Sequence, residues 1–93
     1  MKITVWYKAG KQEEVKFEVK KNIQQNYGFS DEEFVSIGGG FKFLFDDETK
    51  GEIAISFIEE ADALRVTVEG TWSWEVIEIF DICLPQSAEH DPA

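Results

Sequence analysis

The architecture of this chain follows from residues 41–70, which read FKFLFDDETKGEIAISFIEEADALRVTVEG. Apolar residues occupy every second position in three runs, at 41–45, 53–57 and 64–68, and polar segments separate these runs. Because side chains alternate between the two faces of a β-strand, this period predicts three strands with one apolar face each. The short connections favour an antiparallel meander in which one face is covered and the other, with mostly small and polar residues, meets solvent.

The residues before the meander predict a hairpin and two short helices. Residues 2–8 and 14–20 alternate in the same way around Gly10, which predicts a β-hairpin. Residues 21–27 have helical spacing up to Gly28, and Ser30 followed by three acidic residues is typical of a second helix start. The glycine triplet at 38–40 is expected to end that second helix.

Two interpretations remain for residues 73–84. Trp72, Trp74 and Val76 continue the alternation and predict a fourth meander strand, with a β-bulge where Val76 and Ile77 break its phase. Apolar residues also recur at helical spacing through 73–84, so a helix is the alternative. The abundance of Ile, Val and Trp favours the strand.

These elements together predict an α+β fold. It consists of a hairpin, two short helices and a four-strand meander, arranged as a curled antiparallel sheet of about six strands in the form of a half-barrel or roll. Two short helices are too small to cover six strands, so the sheet must curl or pair with another copy. The chain of 93 residues is long enough for one domain, predicted as a compact unit at 1–84 with a mobile tail at 85–93.

Charge is distributed very unevenly along the chain. The net charge is −10, but the first 22 residues carry six lysines against three glutamates, and the acidic excess follows them. So acidic a chain disfavours direct binding of nucleic acid or of an anionic membrane, because both require clustered cations. The acidic excess instead favours a basic protein partner, or serves solubility.

The sequence shows no targeting segment and no pair of cysteines that could form a disulfide. Cys83 is the single cysteine, the chain has no run of 18 apolar residues, and no signal peptide is visible. We therefore expect a cytoplasmic protein that does not enter a membrane.

Catalytic and metal-binding patterns are also weak. His90 is the only histidine and falls in the predicted tail, and Cys83 lies among apolar residues, where a thiol is inert. The glycines at 38–40 lack the Lys-Ser or Lys-Thr pair of a phosphate loop, and no acidic run has the ligand spacing of a calcium loop. We expect no enzyme activity, no catalytic residues, no metal site and no cofactor.

The leading functional hypothesis is a non-enzymatic acidic module that binds another protein, such as an inhibitor or neutraliser of a basic partner. Trp6 is included because it falls on the polar face of its strand, where an exposed tryptophan is a plausible contact. The predicted partner-binding residues are Trp6, Asp46, Asp47, Glu48, Glu59, Glu60, Asp62, Glu69, Glu75 and Glu78.

Two alternatives stand beside this hypothesis. One is a binder of small apolar ligands, with an aromatic-lined cavity inside the curled sheet. Its predicted lining residues are Phe41, Phe43, Phe45, Phe57, Trp72 and Trp74. The other alternative is a homodimer whose interface uses the sheet edges or the apolar surface left uncovered by the two short helices.

Overall fold

The computed structural model describes residues 1–80 and the backbone of the strand Ser87–Asp91. Two α-helices, one 3-10 turn at Asp31–Glu33 and six strands follow one another in these residues. The elements are β1 (Lys2–Lys8), α1 (Gln12–Tyr27), β2 (Val35–Ile37), β3 (Gly40–Leu44), β4 (Glu52–Glu59), β5 (Ala63–Glu69), α2 (Ser73–Glu78) and β6 (Ser87–Asp91).

All strands belong to one antiparallel sheet with the order β2-β3-β4-β5-β1-β6. The sheet stays open, with β2 and β6 at its two edges. β1 lies inside the sheet because it pairs with β5 on one side and with β6 on the other. The predicted α+β class and antiparallel sheet are thus confirmed, although several elements differ from those predicted.

The meander at 41–70 forms as predicted. Phe41 lies opposite Ile55 across β3 and β4, and Ile55 lies opposite Val68 across β4 and β5. The alternate apolar residues of these strands point to one face and are almost completely buried. This face is the hydrophobic core, and it also takes up the apolar residues of β1.

Helix α1 covers the core face of the sheet. Val15, Val19 and Ile23 are spaced by one helical turn each and are at most 1% exposed. The same residues explain why the predicted hairpin partner at 14–20 is wrong. A strand would have buried Phe17 beside Val15 and Val19, but the helix turns Phe17 outward and leaves it 66% exposed. The predicted helix end at Gly28 is correct, because Gly28 adopts the left-handed conformation with φ 75° that a helix terminus favours.

The second predicted helix, after Ser30, is limited to the single turn Asp31–Glu33. Its start is nevertheless marked as expected, because the Ser30 amide donates a 2.9 Å hydrogen bond to the Glu33 carboxylate. The chain then becomes extended, and β2 and β3 form a hairpin around Gly38 and Gly39. The glycine triplet therefore joins two strands instead of a helix and a strand, and its last member belongs to β3.

The segment after β5 is helical, so the predicted fourth meander strand and its bulge at Val76 and Ile77 are wrong. Ser73–Glu78 forms α2, with the Val76 amide bonded to the Trp72 carbonyl over 3.1 Å. Helical spacing buries Ser73 and Val76 on one side, whereas a strand would have placed them on opposite faces. The shorter helix corresponds to the alternative interpretation of 73–84, whose residues 81–84, with Cys83, lie outside the described residues.

The predicted boundary at residue 84 stays a prediction. Residues 81–86 and 92–93 lie outside the described part of the chain, and Ser87–Asp91 pairs with β1 as β6. His90 of β6 is in register with Ile3. Within the described residues, neither α-helix is both long and apolar enough to cross a bilayer.

Candidate functional site

A surface groove of about 200 Å³ opens at the end of the sheet where β3 leaves and β4 enters. It combines aromatic rings, two carboxylates and one ammonium group. We call it the acidic groove, and its lining residues are Tyr27, Phe29, Phe45, Asp46, Asp47 and Lys50.

The aromatic walls come from two segments that are distant in sequence. Helix α1 ends at Tyr27, and the turn at Gly28 brings Phe29 back against the sheet. The Tyr27 and Phe45 rings meet edge to face at 5.0 Å between centroids, and Phe29 lies 5.6 Å from Phe45. Such contacts stabilise each ring pair by about 0.5–1.5 kcal/mol beyond burial alone, so the walls are held in place by the core.

The acidic wall is a loop that is fixed by its own hydrogen bonds. The Asp47 carboxylate accepts one bond from the Thr49 hydroxyl at 2.7 Å and another from the Thr49 amide at 2.9 Å. The Asp47 carbonyl accepts from the amides of Lys50 and Gly51 at 3.0 and 3.2 Å. These bonds to Thr49, the hydroxyl first, lower the pKa of Asp47 below its usual value, so the carboxylate stays charged near neutral pH.

This loop arrangement gives a direct prediction for the pKa of Asp47. Replacing Thr49 by valine removes the hydroxyl donor while retaining the side-chain shape and the backbone bond. We expect the pKa of Asp47 to rise toward its ordinary value, measured by carboxyl carbon NMR shifts during a pH titration. The matched control is Thr71→Val, at an exposed threonine outside the loop, which should leave this pKa unchanged. An unchanged pKa in Thr49→Val would show that the hydroxyl does not stabilise the charged form.

Lys50 places its ammonium group on the aromatic surface. Its Nζ atom is 5.6 Å from the centroid of the Phe45 ring and 5.2 Å from that of Trp72. Both distances are within the range of a cation–π interaction. Among the described residues, Lys50 forms no ion pair at contact distance with a carboxylate, although its charge contributes to lowering the pKa of Asp47.

Helix α2 brings further negative charge to the groove. Burial raises the pKa of the Tyr27 hydroxyl, and the carboxylates of Glu75 and Glu78 raise it further, while a hydrogen bond with the Trp72 side chain opposes the rise. A carboxylate raises a phenol pKa because it opposes a second negative charge nearby. Glu75 and Glu78 therefore act on the hydroxyl of Tyr27, one of the groove residues.

The predicted partner-binding residues divide between the two ends of the sheet. Asp46 and Asp47 line the groove, Glu48 lies in the same loop, and Glu75 and Glu78 act on Tyr27. Glu69 ends β5 in register with Ala54. Of the remaining acidic residues, Glu59 ends β4, and Glu60 and Asp62 lie in the connection to β5, at the opposite end of the sheet.

The carboxylates at that opposite end have local structural partners. Glu59 accepts a 2.8 Å hydrogen bond from the Gly10 amide, and Glu60 pairs with Arg65 at 3.5 Å. Asp62 is exposed in the same turn. These three residues and the groove are therefore not brought together.

Trp6 also lies away from the groove. It is half-buried on the sheet face opposite the core, in register with Arg65 of β5. Its indole nitrogen is buried and has no hydrogen-bond partner among the described residues. Trp6 is thus less open to a partner than its place in the sequence suggests.

The six residues of the predicted ligand cavity contribute to the core. The four phenylalanines among them are at most 7% exposed, and their rings pack on one another, as Phe43 does on Phe45 at 5.5 Å. Trp72 and Trp74 are partly buried and pack against the core. The cavity hypothesis therefore has no support from this packing, although Phe45 also borders the acidic groove.

Three groove residues were not singled out from the sequence: Tyr27, Phe29 and Lys50. The signal for Tyr27 and Phe29 was their position on either side of Gly28, a helix terminus. Nothing in the sequence showed that this terminus meets the loop after β3, because that contact depends on how α1 crosses the sheet.

A second groove of about 280 Å³ lies between α1 and the β2–β3 hairpin. Its charged lining residues, Glu13, Lys16 and Lys20, have mixed signs. Lys20 is already engaged, at 3.3 Å from Asp31 and 5.2 Å from the centre of the Phe34 ring. The charged lining residues of this groove carry a net charge of +1, opposite in sign to the −1 of the acidic groove.

Nowhere in the described part of the chain do three or more His, Cys, Asp or Glu side chains group so that they could hold a metal ion. No protein-family model, curated protein or solved structure matches this chain.

Proposed function

We propose that this protein is a non-enzymatic interaction module whose acidic groove binds a cationic side chain of a basic protein partner. The observation that carries the proposal is the lining of the groove, where Asp46 and Asp47 lie beside the aromatic surface of Tyr27, Phe29 and Phe45. Carboxylates attract a cation over distance, and aromatic faces bind it at contact. Together they match a lysine or arginine side chain that projects from a protein surface.

The charge of the whole molecule supports this proposal. A net charge of −10 steers basic proteins toward the surface and keeps nucleic acid away. Within the groove, Lys50 is the sole cation among the six lining residues. A basic partner would therefore meet attraction both at long range and at the site of contact.

The size of the groove supports a side chain as the ligand. Pockets for drug-sized molecules usually have volumes of about 300–1,000 Å³ and bury most of the ligand. The acidic groove has about 200 Å³ and is open to solvent. A single side chain fills such a space, while its backbone stays on the partner protein.

The proposal predicts that basic peptides bind and that two carboxylates account for much of the affinity. A fluorescein-labelled octalysine peptide serves as the probe, and fluorescence anisotropy at low salt measures its dissociation constant. We expect Asp46→Asn with Asp47→Asn to weaken binding about tenfold, since each lost charge removes roughly 0.5–1 kcal/mol near a surface. Asparagine keeps a side-chain oxygen that can accept the hydrogen bonds of Thr49.

The matched control neutralises two carboxylates at the other end of the sheet. Glu60→Gln with Asp62→Asn changes the net charge equally but lies away from the groove. We expect this control to weaken octalysine binding by about twofold or less, through long-range attraction alone. Equal losses in the two double variants would mean that binding follows net charge and that the groove is not the site.

Self-association stays a prediction of the sequence. Leu44 and Ile58 are exposed apolar residues on the sheet face opposite the core. Scattered exposed apolar residues are common on monomeric proteins, so they add no specific support for a dimer.

A further inference from the structure

The position of Lys50 indicates which kind of cation the acidic groove binds. Its Nζ atom lies over the rings of Phe45 and Trp72, at 5.6 and 5.2 Å from their centroids. The groove thus already binds an ammonium group, supplied by its own chain. A ligand cation that reached the same rings would have to take the place of this group.

We propose that the ligand of the acidic groove is a lysine ammonium, and that Lys50 occupies its position in the free protein. This inference rests on the proposed function, because it specifies which cation the groove recognises. The partner's lysine displaces Lys50 into solvent and takes over its contacts with Phe45 and Trp72. Lys50 is a suitable stand-in because it is only partly buried and its flexible stem can turn outward.

Asp47 favours an ammonium over a guanidinium group. An arginine binds best when both oxygens of one carboxylate accept its paired N–H groups. In Asp47, one carboxylate oxygen already accepts two hydrogen bonds, from the Thr49 hydroxyl and the Thr49 amide. A compact ammonium needs no such fork and can rest on the rings while the carboxylates act through space.

Competition with Lys50 has a measurable consequence for affinity. When an internal group occupies a site, the apparent affinity of a ligand falls by the fraction of time for which the site is free. Two aromatic contacts would keep Lys50 on the rings most of the time. Removing Lys50 should therefore tighten the binding of an external lysine.

The test compares Lys50→Ala with Lys21→Ala in the full chain. Lys21 is an exposed lysine of α1, so its removal changes the net charge equally without freeing the rings. The probes are three short glycine-rich peptides that contain one lysine, one arginine or one Nε-acetyl-lysine, and NMR titration of the Trp72 indole signal reports binding.

We expect Lys50→Ala to bind the single-lysine peptide about fivefold to tenfold more tightly than the unaltered chain, and Lys21→Ala to remain within about twofold. The arginine peptide should bind Lys50→Ala more weakly than the lysine peptide, and the acetylated peptide should bind about tenfold more weakly or not at all. Lys50→Gln, which also removes the charge, should reproduce the gain if Lys50→Ala alters the loop.

Three results would overturn the inference. They are equal gains in the Lys50 and Lys21 variants, arginine binding as tight as lysine binding, and acetylated lysine binding as well as lysine. If octalysine binding still depends on Asp46 and Asp47 in any of these cases, the proposed function stands and only the assignment of the ligand fails. If no basic peptide binds any form of the chain, both are wrong.

Discussion

Replacing Phe43 by alanine should lower the free energy of unfolding by about 4 kcal/mol, because truncation of a fully buried aromatic ring leaves a cavity as well as losing apolar burial. Phe43 is 2% exposed and lies in the central part of β3. Its ring contacts Phe29 at 5.1 Å, Phe34 at 5.4 Å and Phe45 at 5.5 Å between centroids. Phe29 and Phe34 lie in the connection between α1 and β2, whereas Phe45 follows β3, so these rings cannot collapse easily into the vacated space.

The measurement is urea unfolding followed by circular dichroism, together with the thermal midpoint. For a domain of this size, 4 kcal/mol corresponds to a fall of about 15–30 °C in that midpoint. Phe17→Ala is the matched control, because it removes the same ring from a position that is 66% exposed. We expect this control to change stability by about 0.5 kcal/mol or less. Similar losses in both variants would contradict the assignment of Phe43 to the core and of Phe17 to the surface.

Replacing Gly40 by alanine should destabilise the protein by about 3 kcal/mol through a backbone collision. Gly40 begins β3 and is paired with Ser56 of β4. An added Cβ atom would overlap the carbonyl oxygen of Ile55 and would lie 2.8 Å from its carbonyl carbon. Because these are backbone atoms inside the sheet, the strands themselves would have to separate.

Gly10→Ala separates this collision from the conformational cost of losing a glycine. Gly10 has φ 81° and nothing lies within 4 Å of an added Cβ atom. We expect a loss of about 1–2 kcal/mol there, from the left-handed backbone alone. Urea unfolding of both variants provides the comparison. If Gly40→Ala is no more destabilising than Gly10→Ala, β3 and β4 are not as close as described.

The meander at 41–70 could be predicted from sequence because its pattern allows one interpretation. Apolar residues at every second position match a strand and do not match a helix, and each strand pairs with the next along the chain. Local information was therefore sufficient for both the strand positions and the order of β3, β4 and β5. The place of β1 beside β5 could not be predicted, because a pairing between distant segments leaves no local pattern.

Helix α1 was mistaken for a strand because two periods overlap in residues 14–23. Val15 and Val19 are two alternations apart in a strand but also one turn apart in a helix. Ile23 distinguishes the helix from the strand, since it continues the helical spacing for another turn. The burial of all three against the sheet supplies most of the stability of this helix, and that tertiary contribution outweighs the strand propensity of valine.

The candidate site was predicted in part. Asp46 and Asp47 were identified as carboxylates on a loop, and a loop between two strands is readily recognised from sequence. Tyr27 and Lys50 were missed as groove residues. Their contacts there form only when α1 and α2 lie at this end of the sheet, which the sequence pattern does not show. The separation of Glu59 and Glu60 from the groove follows from β4, whose two ends lie at opposite ends of the sheet.

The internal position of β1 affects how the chain can assemble. Its neighbours in the sheet are β5 and β6, and Lys2 is in register with Glu69 and Asp91. During synthesis from the amino end, β1 therefore emerges long before either neighbour exists, and Ile3 and Val5 have no strand beside them. The meander can close through short loops, whereas insertion of β1 requires closure of a much longer one. Among the described strands, β1 is thus synthesised first, although it can pair only after the distant strand β5 has been synthesised.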